Sequence, residues 1–361
     1  PSPSSSSSSS SWPPASDGFG GDPLRCYFNY KCARPLLGLF AFNNVLSNCL
    51  YVLFGLAFVA YVTVHSERHR RRRTGVHTDP SLYTALGWCL VLEGVFSALF
   101  HVCPATLSFQ FDTTFMEIGA GLSFLALYQK RHPYLVAGPF RFFTFVGSVI
   151  LFVTLSLFRI NAYVLWGAVL LAQLYISLFG ACALYHRRSF SFSWHRTRWM
   201  LSQVMHPSMP ASKLRVAVLV VTVALNVAAT LYVALATQST LDFPTAVLGI
   251  ILLDVNVYLF YYIAKKYYHG ERVLVWVWVL LLWAFTVGGV AFYFFNVPVS
   301  NKYLTPAQSR ALNKDCALFD YFDFHDIWHF LSATGLAIFM LAIYHLDRDV
   351  DRTPRSEMKV F

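Results

Sequence analysis

The chain has 361 residues, of which 56% are hydrophobic and 17% aromatic but only 13% charged, and its formal net charge is +10. A soluble domain carries about a quarter of its residues as charges, so the composition excludes an ordinary soluble enzyme and points to a protein that crosses a membrane several times. The basic excess would suit a nucleic-acid binder, but its meaning depends on where along the chain it falls.

Residues 1–36 begin with Pro1, Ser2 and Pro3, continue through a run of serines and then turn to glycine and proline. Such a stretch has little to bury and reads as a disordered linker on the extracellular or luminal side. A start at Pro1 rather than Met suggests that further chain precedes it. Nine apolar segments follow, at about 40–64, 81–103, 109–128, 140–158, 162–185, 214–237, 244–266, 273–296 and 325–346. Each approaches the roughly 20 residues needed to span a bilayer. They are continuous rather than alternating, which predicts helices and not a barrel. The expected fold class is all-α, a polytopic helical bundle over residues 37–346 with a cytosolic tail at 347–361. The segment 186–213, with Trp194, Trp199 and Met200 among Arg and His, reads as an interfacial amphipathic helix.

With the N-terminus placed outside, the 28 lysines and arginines divide three to one in favour of the inside loops. That bias predicts an extracellular or luminal N-terminus and a cytosolic C-terminus. It also gives much of the positive charge a plain role: Arg70, Arg71, Arg72 and Arg73 form a topology anchor before they form an RNA site.

Parity then brings three helix ends to one depth. The second span ends outside at His101, the third begins there near Asp112, and the ninth begins there at His325. His325 and His329 are four apart and share a helix face, as do Ser97 and His101. Three histidines and one aspartate make a donor set that suits tetrahedral Zn2+, with Ser97 as a supporting hydroxyl. Taken singly, each residue has a plainer reading, with histidines at the headgroup level and Asp112 capping its helix. The matching depth favours the metal site.

The series Ser97-x3-His101, Asp112 and His325-x3-His329 resembles the zinc site of the membrane hydrolase superfamily that contains alkaline ceramidases and adiponectin receptors. The stretches Cys26–Pro35, Ala41–Asn48, Phe100–Pro104, Phe109–Thr113, Leu127–Pro133, Asp323–Phe330 and Lys359–Phe361 are similar to those of one branch, the systemic RNA-interference-defective (SID) transmembrane family. The resemblance runs from about Cys26 to the C-terminus. It implies double-stranded RNA uptake, eleven spans in the family with a β-rich extracellular domain, and a homodimer. It also implies His101, Asp112, His325 and His329 as zinc ligands.

Cys26, Cys32, Cys103 and Cys316 fall on the expected outside, where an oxidising compartment favours two disulfides with three possible connectivities. The expected pairs are Cys26–Cys103 and Cys32–Cys316. Glu93 and Asp254 are charges deep within spans, suited equally to a polar path or to an interhelical hydrogen bond. Three functions stand at this point. The first is transport of double-stranded RNA across a plasma, endosomal or lysosomal membrane. The second is a zinc-dependent hydrolase of lipid amides or esters, with Ser97 and Asp112 as catalytic groups. The third is a purely structural zinc staple. Whether Asp112 is a fourth ligand or holds a zinc-bound water stays open. Expected partners are membrane lipids, sterol among them, double-stranded RNA and a second copy of the chain.

Overall fold

The structure is a computed structural model of the chain. It describes residues 26–69, 74–76, 80–132, 162–186, 213–235 and 243–359, with single positions between 144 and 202. Ten α-helices account for most of this: α1 (Phe42–Leu46), α2 (Cys49–His69), α3 (Pro80–Val102), α4 (Gln110–Arg131), α5 (Ala162–His186), α6 (Lys213–Leu235), α7 (Phe243–Tyr268), α8 (Val275–Phe295), α9 (Pro306–Ala311) and α10 (Phe324–His345). Among the described residues there is no β-strand, only three isolated bridges.

Eight of the nine expected spans coincide with long helices, and the one expected at 140–158 lies mostly outside the described residues. Five segments are long and apolar enough to cross a bilayer: Phe42–Ser66, Pro80–Val102, Phe243–Tyr268, Val275–Phe295 and Phe324–Val350. The helix α4 is not among them, because it carries Asp112, Glu117, Lys130 and Arg131. Its charges are buried in protein rather than offered to lipid. The arginine run at 70–73 lies outside the described residues, as does most of the interfacial helix expected at 186–213.

A single core joins α2, α3, α4, α7, α8 and α10, centred on Tyr51, Phe58, Leu86, Leu122, Leu259, Val277 and Ile343. Two helix pairs dominate it, α8 with α10 and α2 with α3. Glycine sets the second spacing. A Cβ on Gly55 would stand 2.8 Å from the Gly87 carbonyl oxygen, and one on Gly94 would stand 2.9 Å from the Asn48 carbonyl oxygen. Without side chains at these points the two backbones approach closely, as small residues permit between membrane helices. The pair α5 and α6 forms a smaller cluster with α7 through Trp166, Ala234, Ala246 and Ile250.

At the end where α3 finishes and α4 and α10 begin (the upper end), residues 26–36 form a cap rather than a loose lead-in. Phe28, Cys26 and Ala41 pack together there. Disulfides Cys26–Cys103 and Cys32–Cys316 tie the cap to the α3–α4 loop and to the segment before α10. These are the expected pairs. The first 25 residues of the expected linker lie outside the described residues.

At the lower end, α4 and α7 finish with Lys130, Arg131 and Lys266, cations that suit the negative end of a helix. All three converge on Asp347, just after α10, with nitrogen–oxygen separations of 3.4 Å from Lys130 and 3.0 Å from Lys266. Arg131 and Lys266 meet Oδ1, while Tyr262 donates at 2.6 Å to Oδ2, the oxygen that Lys130 faces. Glu271 and Asp349 balance the remaining charge. The chain after α10 stays on this end, where Gly75 donates to the Thr353 carbonyl and Arg131 to that of Lys359. Because Asp347 is only 2% exposed, removing it strands buried cations, which costs about 3–5 kcal/mol. Asp347→Ala is therefore expected to lower the thermal midpoint of the detergent-solubilised protein sharply, and an unchanged melting curve would contradict this account.

Candidate metal centre

The centre is built from the first turn of α10. Asp323 caps that helix: its Oδ1 accepts from the backbone N–H of His325 at 2.9 Å and of Asp326 at 3.0 Å. In return Asp326 Oδ2 accepts from the Asp323 N–H at 2.9 Å. This reciprocal capping box fixes the entry of the helix and with it the bearing of His325 and His329. Both oxygens of Asp326 are also held by α1, Asn44 donating to Oδ1 at 3.0 Å and Asn43 to Oδ2 at 3.1 Å. Asn29 of the cap donates to Asp323 Oδ2 at 3.0 Å. Two buried carboxyl groups thus sit in a lattice of amide donors, as their desolvation demands.

The end of α3 supplies His101. The turn that follows is closed by Ser108, which donates to the Cys103 carbonyl at 3.2 Å. It is also fastened sideways, Thr106 donating to the Lys302 carbonyl at 2.9 Å. These constraints bring His101 against α10. One ligand atom from each of His101, His325 and His329 falls within 4.8 Å of the other two. The Nε2 atoms of His101 and His329 are 3.0 Å apart. The ring centroids of His101 lie 5.1 Å from His325 and 5.0 Å from His329, and those of His325 and His329 are 4.6 Å apart. His101 and His329 are buried and His325 is half-buried. Trp328 flanks the α10 pair, with its centroid 5.1 Å from His325 and 4.6 Å from His329. Tyr51 of α2 meets His329 edge-on at 5.9 Å.

Asp112, in the first turn of α4, is buried beside the trio but is not among the ligand atoms that satisfy that mutual distance. It accepts a hydrogen bond from Ser97, which stands one turn before His101 on α3. All five residues singled out in the sequence therefore gather at one end of the bundle. Three of them form the tight cluster and two form a bonded pair next to it.

The cluster fits a metal ion on its own chemistry. Two ring nitrogens facing at 3.0 Å can share at most one proton between them, and a third imidazole crowds the same space. The Nδ1 of His329 is buried with no hydrogen-bond partner, an arrangement that is costly for a protein to keep without use. Imidazole nitrogens with a nearby carboxylate are a donor set for zinc. The supporting residues Asn29, Asn43, Asn44, Asp323 and Asp326 were not picked out as site residues in the sequence. The available signal was two carboxylates flanking His325, together with two adjacent asparagines at the head of an apolar run.

The chain matches the family model described as "dsRNA-gated channel SID-1" over residues 19–361. It belongs to that family. Among the family's members it is similar to SID1 transmembrane family member 1 of Homo sapiens, 35% identical over 351 residues that cover 93% of this chain and 42% of the human protein. The Mus musculus protein of the same name is 34% identical over 351 residues, with the same coverage. Cholesterol uptake protein 1 of Caenorhabditis elegans is 30% identical over 357 residues, covering 94% of this chain and 47% of the worm protein. The chain thus spans less than half the length of the family relatives it matches.

Replacing Asp326 would take one acceptor from each of the Asn43 and Asn44 amides, leaving Asn43 the Cys32 carbonyl and Asn44 a long 3.5 Å contact to Asp323 Oδ2, at about 1–3 kcal/mol for each N–H left unmatched. Asp326→Ala is expected to lower the melting temperature and to loosen the first turn of α10, read as faster hydrogen exchange at residues 324–329. Exchange there at the wild-type rate would show that the α1 amides do not hold this turn.

Proposed function

We propose that this chain is the membrane-embedded part of a protein that moves double-stranded RNA across a membrane. We propose further that its three clustered histidines hold one zinc ion in the outer-leaflet half of the bundle. Membership of the SID-1 family over nearly the whole chain carries the transport reading. The convergence of His101, His325 and His329 carries the zinc reading. Two disulfides at the upper end support placing that end in an oxidising compartment. This agrees with the three-to-one division of lysines and arginines along the sequence.

His101, His325 and His329 would hold the ion, with Asp112 beside it as a fourth ligand or as a group that orients a water. Zinc in such a site either cross-links helices or, with an open position, polarises an acyl group and lowers the proton affinity of bound water. The chain's own contribution is positional. Asp323 and Asp326 fix the turn that bears two ligands, Ser97 orients the Asp112 carboxylate, and Trp328 and Tyr51 wall the cluster. The Ser97–Asp112 pair beside a three-histidine cluster favours a second reading, a zinc-dependent lipid hydrolase. Under that reading, Ser97→Ala in folded protein removes turnover of a lipid amide or ester.

Metal content of the detergent-purified protein tests the site. About one zinc per chain is expected in the wild type and close to none in a His325→Ala/His329→Ala double variant. A folded, monodisperse wild type without metal would dismiss both uses of zinc. Transport is tested by uptake of labelled double-stranded RNA into cells that express the full-length protein. Uptake above that of untransfected cells is expected, and equality with them would remove the transport reading.

A further inference from the structure

Asp254 lies eleven residues beyond Phe243 on α7, roughly 17 Å along the helix at 1.5 Å per residue. In a hydrocarbon layer of about 30 Å, that is close to the middle. A charge at this depth is costly and marks a function more often than it marks packing. Neither the metal centre nor the lower ion-pair cluster uses it.

Its surroundings are directional. Thr230 of α6 donates to the Gln173 side-chain carbonyl on α5 at 2.9 Å. Gln173 donates in turn to the Asn226 side-chain carbonyl on α6 at 3.4 Å. Asn226 donates to Asp254 Oδ1 at 2.6 Å and to the Thr222 carbonyl at 3.0 Å. The relay from Thr230 through Gln173 and Asn226 ends on the carboxyl group, while the second Asn226 donation goes to its own helix. Asn226 and Thr230 are buried, so the array is built into the seam between α5, α6 and α7.

No cation answers the charge among the described residues. The stretch 163–175 of α5 and the stretch 219–235 of α6 carry no ionisable side chain other than tyrosines. On α7, Lys265 and Lys266 are turned to the lower end. The next helix packed on α7, α4, carries Asp112 and Glu117 near its start and Lys130 and Arg131 at its end, none of them bonded to Asp254. Tyr258, one turn on from Asp254, packs on Phe124 and Tyr128 of α4. The side-chain oxygens near the carboxyl group come from two amides, Gln173 and Asn226, well short of the roughly six to eight oxygen ligands that a calcium ion takes. Oδ1 is bonded to Asn226, and Oδ2 has no hydrogen bond among the described residues.

We propose that Asp254, with its donor chain through Asn226, Gln173 and Thr230, is an intramembrane proton-binding site. A hydronium ion gives up the proton: one of its O–H bonds breaks as an O–H bond forms on Asp254 Oδ2, and a water molecule leaves. In the charged state the carboxylate draws Asn226, and so the α5–α6 pair, onto α7. Proton uptake weakens that pull. The site therefore couples proton loading to the docking of two helices on the main bundle. It stands whether or not the chain transports RNA.

Infrared difference spectroscopy of the full chain in lipid nanodiscs tests this, with buffer stepped from mildly alkaline to mildly acidic. A protonated-carboxyl band that appears on acidification, shifts in D2O and is missing from Asp254→Asn is expected. Identical difference spectra for wild type and Asp254→Asn would overturn the proposal. Should Asp254→Asn fail to fold, Asn226→Leu decides, since it keeps the carboxyl but removes the donor that favours its charged form. Its midpoint is expected to move up by about one to two pH units. An unmoved midpoint, or a band that raised sodium or potassium abolishes at fixed pH, would overturn the assignment of a proton.

Discussion

The upper end of this molecule depends on how two buried carboxyl groups are satisfied. Asp323 and Asp326 face inward at the first turn of α10, where hydration is lost and a bare charge would be intolerable. The capping box meets part of their demand, and the amides of Asn29, Asn43 and Asn44 meet the rest. The same bonds do two jobs. They stabilise the helix start, and they fix the direction of His325 and His329, which project from that turn. Were the carboxyl groups replaced by apolar side chains, the helix would still form, but nothing would set its entry angle.

The two ends of the bundle handle charge in different ways. At the lower end ions meet ions: three cations gather on Asp347, with Glu271 and Asp349 around them. At the upper end carboxyl groups meet neutral amides, and three imidazoles face one another in a tight cluster. A balanced ionic cluster gains little from an added ion. A nest of neutral nitrogen donors gains much, which is why the metal reading belongs to one end and the structural role to the other.

The architecture was largely legible in the sequence because apolar run length is a direct physical requirement of the bilayer. The depth argument worked for the same reason. Once the spans alternate, His101, Asp112 and His325 have to share an end, and the structure gathers them there. That two disulfides form was legible because four cysteines lie outside the spans on that side, but their pairing was one of three connectivities that the sequence left open, and the fold selects it. Less was legible where polar groups interact across helices. Asn43 and Asn44 carry no periodic signal, and their partners lie about 280 residues away in sequence. The separation of Asp112 from the tight histidine group is set by side-chain reach, which spacing does not encode. The same holds for the bond from Asn226 to Asp254, which joins two spans whose sequences differ little from any other apolar run.

The bond between Cys32 and Cys316 spans 284 positions and joins the first described segment to the approach of the last helix. During synthesis the early half of this clasp waits while the seven long helices among the described residues between the two cysteines are made, and the later half arrives just ahead of His325 and His329. Closing so wide a ring removes much of the freedom of the unfolded chain, and doubling its length would add only about 0.6 kcal/mol more. The consequence concerns timing rather than strength. The histidine cluster cannot be completed before the final helix is threaded, and the covalent lock that records its arrival closes beside it. A truncated chain would thus be marked by a lone thiol at Cys32, a chemical flag for unfinished assembly.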